Sequence, residues 1–102
     1  MMKRFNVYVT DTFKKVYSSL DKSEQLWIDK TKGQLEENSS GKIIRFSWFR
    51  EKKFGNKRLF YLVDEQYKKI LFVAFASKKQ QQKIIDFIIA NMQELLGYLR
   101  SL

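Results

Sequence analysis

The chain has 102 residues and a formal net charge of +9, and 44 % of its side chains are hydrophobic. That length fits one domain with a real core, and the basic surplus favours a polyanionic or acidic partner over a merely solubilising role. The chain contains no cysteine and no histidine, which excludes disulfides, thiolate metal sites and every histidine-dependent catalytic triad.

Signals of export and of membrane insertion are also missing from the sequence. The opening stretch, MMKRFNVYVT, contains no apolar leader. No apolar run approaches the roughly 20 residues that a helix needs to cross a bilayer. We therefore expect a single cytoplasmic domain over residues 1–102, with no metal, no cofactor and no membrane contact.

The N-terminal part of the chain predicts one strand and two helices. Apolar and polar residues alternate over Phe5–Thr10, which is typical of a half-buried strand. Apolar residues then recur at helical spacing from Phe13 to Leu20 and again from Leu26 to Leu35. The two helices form a hairpin that we expect to cover one face of a sheet. The candidate N-caps are Asp11 or Thr12 for the first helix and Asp21 or Ser23 for the second.

The middle of the chain predicts an antiparallel meander. Strand-like runs span Ile43–Phe54, Lys57–Asp64 and Lys69–Ala76, and short links at Gly55-Asn56 and Glu65–Lys68 join them. The last run is apolar on both faces, so we expect it to be the central, doubly buried strand. The first two runs carry many basic residues among aromatic ones, so the sheet should present a basic region on a rigid frame.

The C-terminal part predicts one long helix over Lys78–Leu102, capped by Ser77. Its apolar stripe is wide and most simply packs on the sheet. Alternatively, the end of the helix projects and either forms a two-stranded coiled coil, which gives a homodimer, or docks on a partner. The order of elements is β-α-α-β-β-β-α, which predicts a small α+β domain with a mainly antiparallel, four-stranded sheet.

The basic part of the meander resembles a known family. The run Phe49–Tyr61, FREKKFGNKRLFY, is similar to the LRELRxGxYRxxY stretch of the RelE/ParE toxin superfamily of type II toxin–antitoxin systems. Lys78-Lys79 follows the last strand, where many members have a His-Arg or Arg-Arg pair. Lys57 departs from the family pattern, which commonly has tyrosine at that point. No clear equivalent exists for the C-terminal tyrosine or histidine of many members.

This resemblance implies two very different activities. RelE-like members cleave messenger RNA, usually in the ribosomal A site and without a metal, whereas ParE-like members bind DNA gyrase and carry no RNase activity. Both kinds are held inactive by a cognate antitoxin, which should here be acidic on the segment that crosses Arg50–Arg58. A third alternative is a basic nucleic-acid-binding domain that has kept only the fold.

The resemblance also implies roles for individual basic residues. Arg58 matches the arginine of YRxxY and implies a clamp on the phosphate in the transition state, because its planar fork holds two oxygens. Lys52 and Lys53 match the basic positions of the family, which implies that one of them is the catalytic base. Because neighbouring side chains in a strand point to opposite faces, only one of the two lysines can face the site. The catalytic candidates are therefore Lys52, Lys53, Arg58 and Lys78, and the RNA-binding candidates are Arg45, Arg50, Lys57 and Lys79.

The basic region also brings several cations close together in the sequence, next to aromatic residues that we expect to be buried. Arg50, Lys57 and Arg58 lie close together in the sequence, and like-charge repulsion among them would favour the uncharged form of a neighbouring lysine. Tyr61 stands an odd number of residues after Arg58, so it should face away from Arg58 and belong to the core. The rings of Phe46, Trp48 and Phe54 are more readily explained as core than as a platform for stacked bases.

Overall fold

The computed structural model describes residues 4–38, 41–44 and 46–102. Its strands form one sheet in the order β1-β5-β4-β3-β2, in which β1 and β5 run parallel and the other neighbours antiparallel. The predicted α+β class and mainly antiparallel sheet are confirmed. The elements are β1 (Asn6–Val9), α1 (Asp11–Ser19), α2 (Lys22–Glu37), β2 (Lys42–Ile43), β3 (Phe49–Phe54), β4 (Lys57–Asp64), β5 (Lys69–Ser77), α3 (Gln81–Ala90) and α4 (Met92–Ser101).

The described sheet has five strands, so the prediction of four was wrong. The run predicted as one strand, Ile43–Phe54, divides into β2 and β3 because the chain reverses between them. The Phe49 N–H donates to the Phe46 carbonyl at 2.9 Å and closes this turn, and the Ile44 N–H donates to the Phe49 carbonyl at 2.9 Å. The reversal places β2 antiparallel beside β3, at the edge of the sheet.

The strands β3 and β4 form a hairpin with the predicted two-residue link. Phe54 pairs with Lys57, and Gly55 between them has a φ of +60°. A positive φ at the first loop position is the pattern of a type II′ turn, which glycine adopts without steric cost. β4 takes the middle of the sheet, whereas β5, which the sequence predicts as the central strand, lies between β1 and β4. Both faces of β5 are nonetheless buried, as expected.

The sheet separates two hydrophobic cores. The helices α1 and α2 cover one face, as predicted for the helical hairpin, and α3 and α4 cover the other. The first core includes Phe13, Ile28, Leu35, Leu59, Tyr61 and Phe72, and the second includes Phe49, Phe60, Leu62, Ile85, Ile88 and Leu99. Every residue of the sheet therefore faces either the α1/α2 side or the α3/α4 side, and this division decides which charges meet.

The N-terminal helices begin at two capping side chains. Thr10 caps α1, where its hydroxyl oxygen accepts from the Phe13 N–H at 3.0 Å, so the prediction of Asp11 or Thr12 was wrong. Asp21 caps α2 and accepts from the Glu24 N–H at 2.8 Å, while the Glu24 carboxylate accepts from the Asp21 N–H at 3.2 Å. This reciprocal pair is a capping box, and it confirms Asp21 over Ser23 as the cap. Ser23 instead donates its hydroxyl to Asp21 at 2.7 Å.

The C-terminal helix is broken, which corrects the prediction of one helix over Lys78–Leu102. A 3-10 turn at Lys78–Gln80 precedes α3, and Ser77 makes no side-chain capping bond. Asn91 ends α3, and its side-chain amide donates to the Phe87 carbonyl at 2.8 Å. After this break α4 lies back on the sheet and buries Leu99. The homodimer through this region stays a prediction. Within the described ranges no helix is long and apolar enough to cross a membrane.

Candidate functional site

The β3–β4 register sorts the candidate basic residues onto two faces. Lys53 lies directly opposite Arg58, and Lys52 lies opposite Leu59. Because side chains alternate along a strand, Lys53 and Arg58 share the α3/α4 side with Glu51. Lys52 shares the α1/α2 side with Leu59 and Lys57. Of the two lysines considered as the base, Lys53 is therefore on the face of Arg58.

Arg58 is a nearly buried cation beside a buried carboxylate. Its side chain is 9 % exposed, and that of Glu51 is 2 % exposed. The Arg58 Nε lies 3.8 Å from Glu51 Oε2, which is an ion pair but too long for a hydrogen bond. Within the described part of the chain, Arg58 Nε has no hydrogen-bond acceptor. The guanidinium is thus held electrostatically without being fully bonded.

Gln81, the first residue of α3, connects this pair to the helix. Its side-chain amide donates to Glu51 Oε2 at 3.3 Å. The same carboxylate oxygen therefore faces both Arg58 on β4 and Gln81 on α3. This contact fixes the start of α3 against the end of the β3–β4 hairpin.

Exposed lysines collect around this end of the sheet. The Lys78 N–H donates to the Asn56 carbonyl at 3.0 Å, which places the 3-10 turn beside the β3–β4 turn. Lys53, Lys78 and Lys79 are exposed, and among the residues described none of these three forms an ion pair. The accessible positive charge is therefore concentrated where the hairpin and the start of α3 meet.

Two other candidates are part of the framework. The Lys57 ammonium pairs with Glu24 of the α2 capping box and lies 5.6 Å from the centre of the Phe75 ring. Arg50 pairs with Glu65 at 3.1 Å and donates from Nε to the Ser47 carbonyl at 2.9 Å. The expected crowding of Arg50, Lys57 and Arg58 on one another is not found, because each of these three cations faces a different carboxylate.

The structure thus brings together part of the predicted set. Arg58, Lys53, Lys78 and Lys79 lie at one end of the sheet, whereas Lys52 and Lys57 belong to the opposite face and Arg50 to the far end of β3. Arg45 lies outside the described residues. Sequence reasoning missed Glu51 and Gln81. Period-two alternation from Lys53 places Glu51 on the same face, which was the available signal for Glu51; no local signal pointed to Gln81.

The aromatic residues largely follow the prediction. Tyr61 is fully buried in the α1/α2 core, and this burial raises the pKa of its phenol far above the usual value. Phe54 stacks on Trp27 with ring centres 5.1 Å apart, so it packs against the helical hairpin. Phe46 is the exception, because it is 39 % exposed and stacks on Trp48. Core assignment therefore holds for Tyr61 and Phe54 but is wrong for Phe46.

A separate cleft of about 620 Å³ lies away from these charges, between β1, α1, α2 and the end of α4. Val7, Phe13, Ile28 and Tyr98 are among its lining residues, and none of the candidate basic residues lines it. At its wall the Tyr17 hydroxyl donates to Asp29 at 2.8 Å, and this bond raises the pKa of the Tyr17 phenol. Within the described ranges, no group of three His, Cys, Asp or Glu side chains is placed to hold a metal ion.

Comparison with solved structures shows that the chain has the RelE fold. RelE in the RelE–RelB complex of Pyrococcus horikoshii matches with a TM-score of 0.65 and 17 % identity, covering 74 % of this chain and 96 % of that one. A doubly substituted RelE toxin of E. coli in the free state matches with a TM-score of 0.67 and 14 % identity, covering 79 % and 90 %. The RelBE2 toxin–antitoxin complex of Mycobacterium tuberculosis matches with a TM-score of 0.63 and 18 % identity, covering 76 % and 95 %.

No protein-family model matches the chain, and no curated protein matches it in sequence. The likeness therefore lies in the arrangement of the backbone, at 17 % identity for the archaeal RelE. This likeness concerns the fold alone.

Proposed function

We propose that this RelE-fold protein is the toxin of a type II toxin–antitoxin system and that it cleaves messenger RNA. The observation that carries the proposal is the position of Arg58. This nearly buried arginine lies at the end of the sheet where Lys53, Lys78 and Lys79 are exposed. A fixed cation at the base of an accessible basic patch is suited to hold one phosphate of a polyanionic chain.

The reaction we propose uses the RNA's own 2′-hydroxyl as nucleophile. The 2′-oxygen attacks the adjacent phosphorus while its proton passes to a base. The bond from phosphorus to the 5′-oxygen breaks, and that oxygen takes up a proton as it leaves, so the products are a 2′,3′-cyclic phosphate and a 5′-hydroxyl. The protein's tasks are to align these atoms and to neutralise charge on the phosphorane-like transition state.

In this proposal the residues of the α3/α4 side do the work. Arg58 contacts the phosphate, and Lys53 is the better placed of the two candidate bases because it lies opposite Arg58 on the same face. Lys78 and Lys79 bind flanking phosphates from the 3-10 turn. Lys52 lies on the other face, so we assign it no direct role in the reaction. The substrate is messenger RNA in the cytoplasm, and the ribosome presents it.

An antitoxin is the proposed protein partner. Two of the similar structures above are complexes of a RelE-type toxin with its antitoxin. The exposed lysines around Arg58 favour an acidic antitoxin segment that covers this end of the sheet. Such a segment would inhibit cleavage by occupying the position of the RNA.

A non-enzymatic alternative has support from one specific observation. The charge of Arg58 is already paired with Glu51, and Lys52 is separated from it by the sheet. Both features would weaken catalysis by this site. They favour the alternative of a ParE-like toxin that binds DNA gyrase, or of a nucleic-acid-binding protein that has kept the fold without the reaction.

The test is an assay with purified protein, translating ribosomes and a defined messenger RNA. The proposal predicts cleavage that leaves 2′,3′-cyclic phosphate ends and stops when the scissile nucleotide carries a 2′-deoxy sugar. The same protein is then added to DNA gyrase in a supercoiling assay. Inhibition of supercoiling without RNA cleavage would replace the nuclease by the gyrase-binding alternative.

A further inference from the structure

Among the described residues, Glu51 is the one acidic side chain in the middle of the basic site. Its side chain is 2 % exposed, so it is an internal part of the site and not a surface charge that balances the lysines. Its carboxylate contacts two elements at once, β4 through Arg58 and α3 through Gln81. Neither contact is a consequence of backbone pairing, because Glu51 lies opposite Phe60 in the sheet.

The geometry of the pair is incomplete. An arginine bonded to a carboxylate typically forms short, often bidentate, hydrogen bonds. Here the closest approach of Arg58 Nε to Glu51 is 3.8 Å, and the Nε donor has no acceptor among the described residues. The pair balances charge but leaves the buried Nε without a hydrogen bond. Because this Nε is closed to solvent, a phosphate would have to contact the 9 % of the Arg58 side chain that is exposed.

We infer that Glu51 is a positioning residue that holds Arg58 in place and competes with phosphate for its charge. In the unliganded protein Glu51 is the anion next to the guanidinium. A phosphate that binds there adds a second anion, so Glu51 weakens phosphate binding while keeping Arg58 and the start of α3 aligned. The inference rests on the proposed function only in taking that phosphate to belong to RNA.

The test measures inorganic phosphate binding by the whole chain, labelled with 15N at arginine Nε and followed by NMR. The variants are Glu51→Gln, Arg58→Gln and the double variant. We expect Glu51→Gln to bind phosphate at least about two- to threefold more tightly, since one unit charge across the guanidinium, roughly 7 Å from the phosphate, has that effect even with the screening of water. We expect no such gain in the Arg58→Gln background.

A matched control separates this local effect from net charge. Glu94→Gln removes the same charge from an exposed position in α4, where screening by salt should leave phosphate binding nearly unchanged. The inference is overturned if Glu51→Gln leaves phosphate binding as it is in the wild type. It is equally overturned if the gain persists when Arg58 has been replaced.

A second variant covers the outcome in which Glu51→Gln fails to fold. Glu51→Asp keeps the charge and withdraws it by one methylene group, so it should tighten phosphate binding in the same direction but by less. A folded Glu51→Asp protein with unchanged or weaker phosphate binding would overturn the inference.

RNA measurements distinguish failure of this inference from failure of the proposed function. If Glu51 positions Arg58, the Glu51→Gln protein should bind RNA more tightly, with a lower KM, but cleave bound RNA more slowly, with a lower kcat. Tighter phosphate binding in a protein that never cleaves RNA would contradict the proposed nuclease and leave the role of Glu51 standing. Cleavage by the wild type, with no effect of Glu51→Gln on phosphate binding, would contradict the role of Glu51 and leave the proposed nuclease standing.

Discussion

Lys57 and Arg58 are adjacent in β4, yet the sheet separates their charges and each faces a different carboxylate. Lys57 pairs with Glu24 on the α1/α2 side, and Arg58 lies 3.8 Å from Glu51 on the α3/α4 side. The first pair connects the hairpin to the N-terminus of α2, whereas the second is part of the candidate site. Removing Lys57 should therefore affect the stability of the fold, whereas removing Arg58 should affect the candidate site.

Replacing Lys57 should reduce stability. Lys57→Ala leaves the Glu24 carboxylate, whose side chain is 11 % exposed, without its cation. This ion pair is partly buried, so its loss should cost more than that of a surface pair and less than that of a fully buried pair. We expect a loss of about 1–3 kcal/mol in the free energy of unfolding, measured by urea denaturation. Lys53→Ala is the control, because it removes an exposed lysine and should change stability by no more than about 0.5 kcal/mol. Equal losses in the two variants would contradict this division of roles.

Gly41 and Gly33 should respond in opposite ways to substitution by alanine. Gly41 has a φ of +149°, and a Cβ there would overlap the Tyr61 hydroxyl and lie 3.0 Å from Tyr61 Cζ. We expect Gly41→Ala to cost about 2–4 kcal/mol through backbone strain and overpacking. Gly33 lies within α2 with open space around it, so Gly33→Ala should stabilise by about 0.5–1 kcal/mol. Thermal unfolding of both variants checks the contrast, and a neutral Gly41→Ala would argue against the buried position of Tyr61.

The stability of α2 should depend on pH through its cap. The Glu24 N–H donated to the Asp21 carboxylate lowers the pKa of Asp21 below its usual 3.8. Because the folded pKa is the lower one, the charged cap stabilises the protein fully above the unfolded pKa, and this stabilisation is lost as the pH falls through the folded pKa.

Asp21→Asn keeps a capping oxygen but cannot titrate, so it isolates this effect. We expect the wild type to be more stable than Asp21→Asn at about pH 6 and the difference to shrink by about pH 3, as measured by urea denaturation. Asp11→Asn, which removes an exposed carboxylate from α1, controls for net charge. A wild-type advantage that stays constant from neutral to acid pH would contradict the charged cap.

Two leucines test whether α4 is an integral part of the domain. Leu99 is fully buried against the sheet, whereas Leu26 on α2 is 56 % exposed. We expect Leu99→Ala to cost about 2–5 kcal/mol and Leu26→Ala less than about 0.5 kcal/mol in urea denaturation. A small effect of Leu99→Ala would mean that α4 contributes little to the folded state.

The layers of the fold followed from sequence periodicity, but two chain breaks did not. The α1/α2 hairpin, the β3–β4 turn at Gly55 and the burial of β5 each have a strong local signal. The reversal at Phe46–Phe49 contains no glycine, proline or asparagine, so nothing interrupted the strand-like run from Ile43 to Phe54 and it indicated one strand. At Asn91 the side-chain amide donates to the Phe87 carbonyl and so competes with the backbone hydrogen bonds of a continuous helix. Whether the helix continues or breaks there depends on the packing of α4 on the sheet, which the local sequence does not show.

The site was predictable only in part for a related reason. Alternation along β3 correctly required that Lys52 and Lys53 point to opposite sides. The predicted two-residue link at Gly55-Asn56 also fixes the β3–β4 register that pairs Lys53 with Arg58, so the face of Arg58 was available from the sequence. The contact of Gln81 with Glu51 joins residues 30 positions apart, and it exists because α3 packs back over the hairpin. Contacts of that kind follow from tertiary structure and have no local pattern.

The most direct test of the central claim is a map of new 5′ ends in cellular messenger RNA after brief induction of the protein. Wild type, Arg58→Ala and Lys57→Ala are compared at equal levels of folded protein. We expect new ends inside coding regions for the wild type and for Lys57→Ala, and their loss in Arg58→Ala. Growth arrest without new ends, or new ends that persist in a folded Arg58→Ala protein, would contradict it.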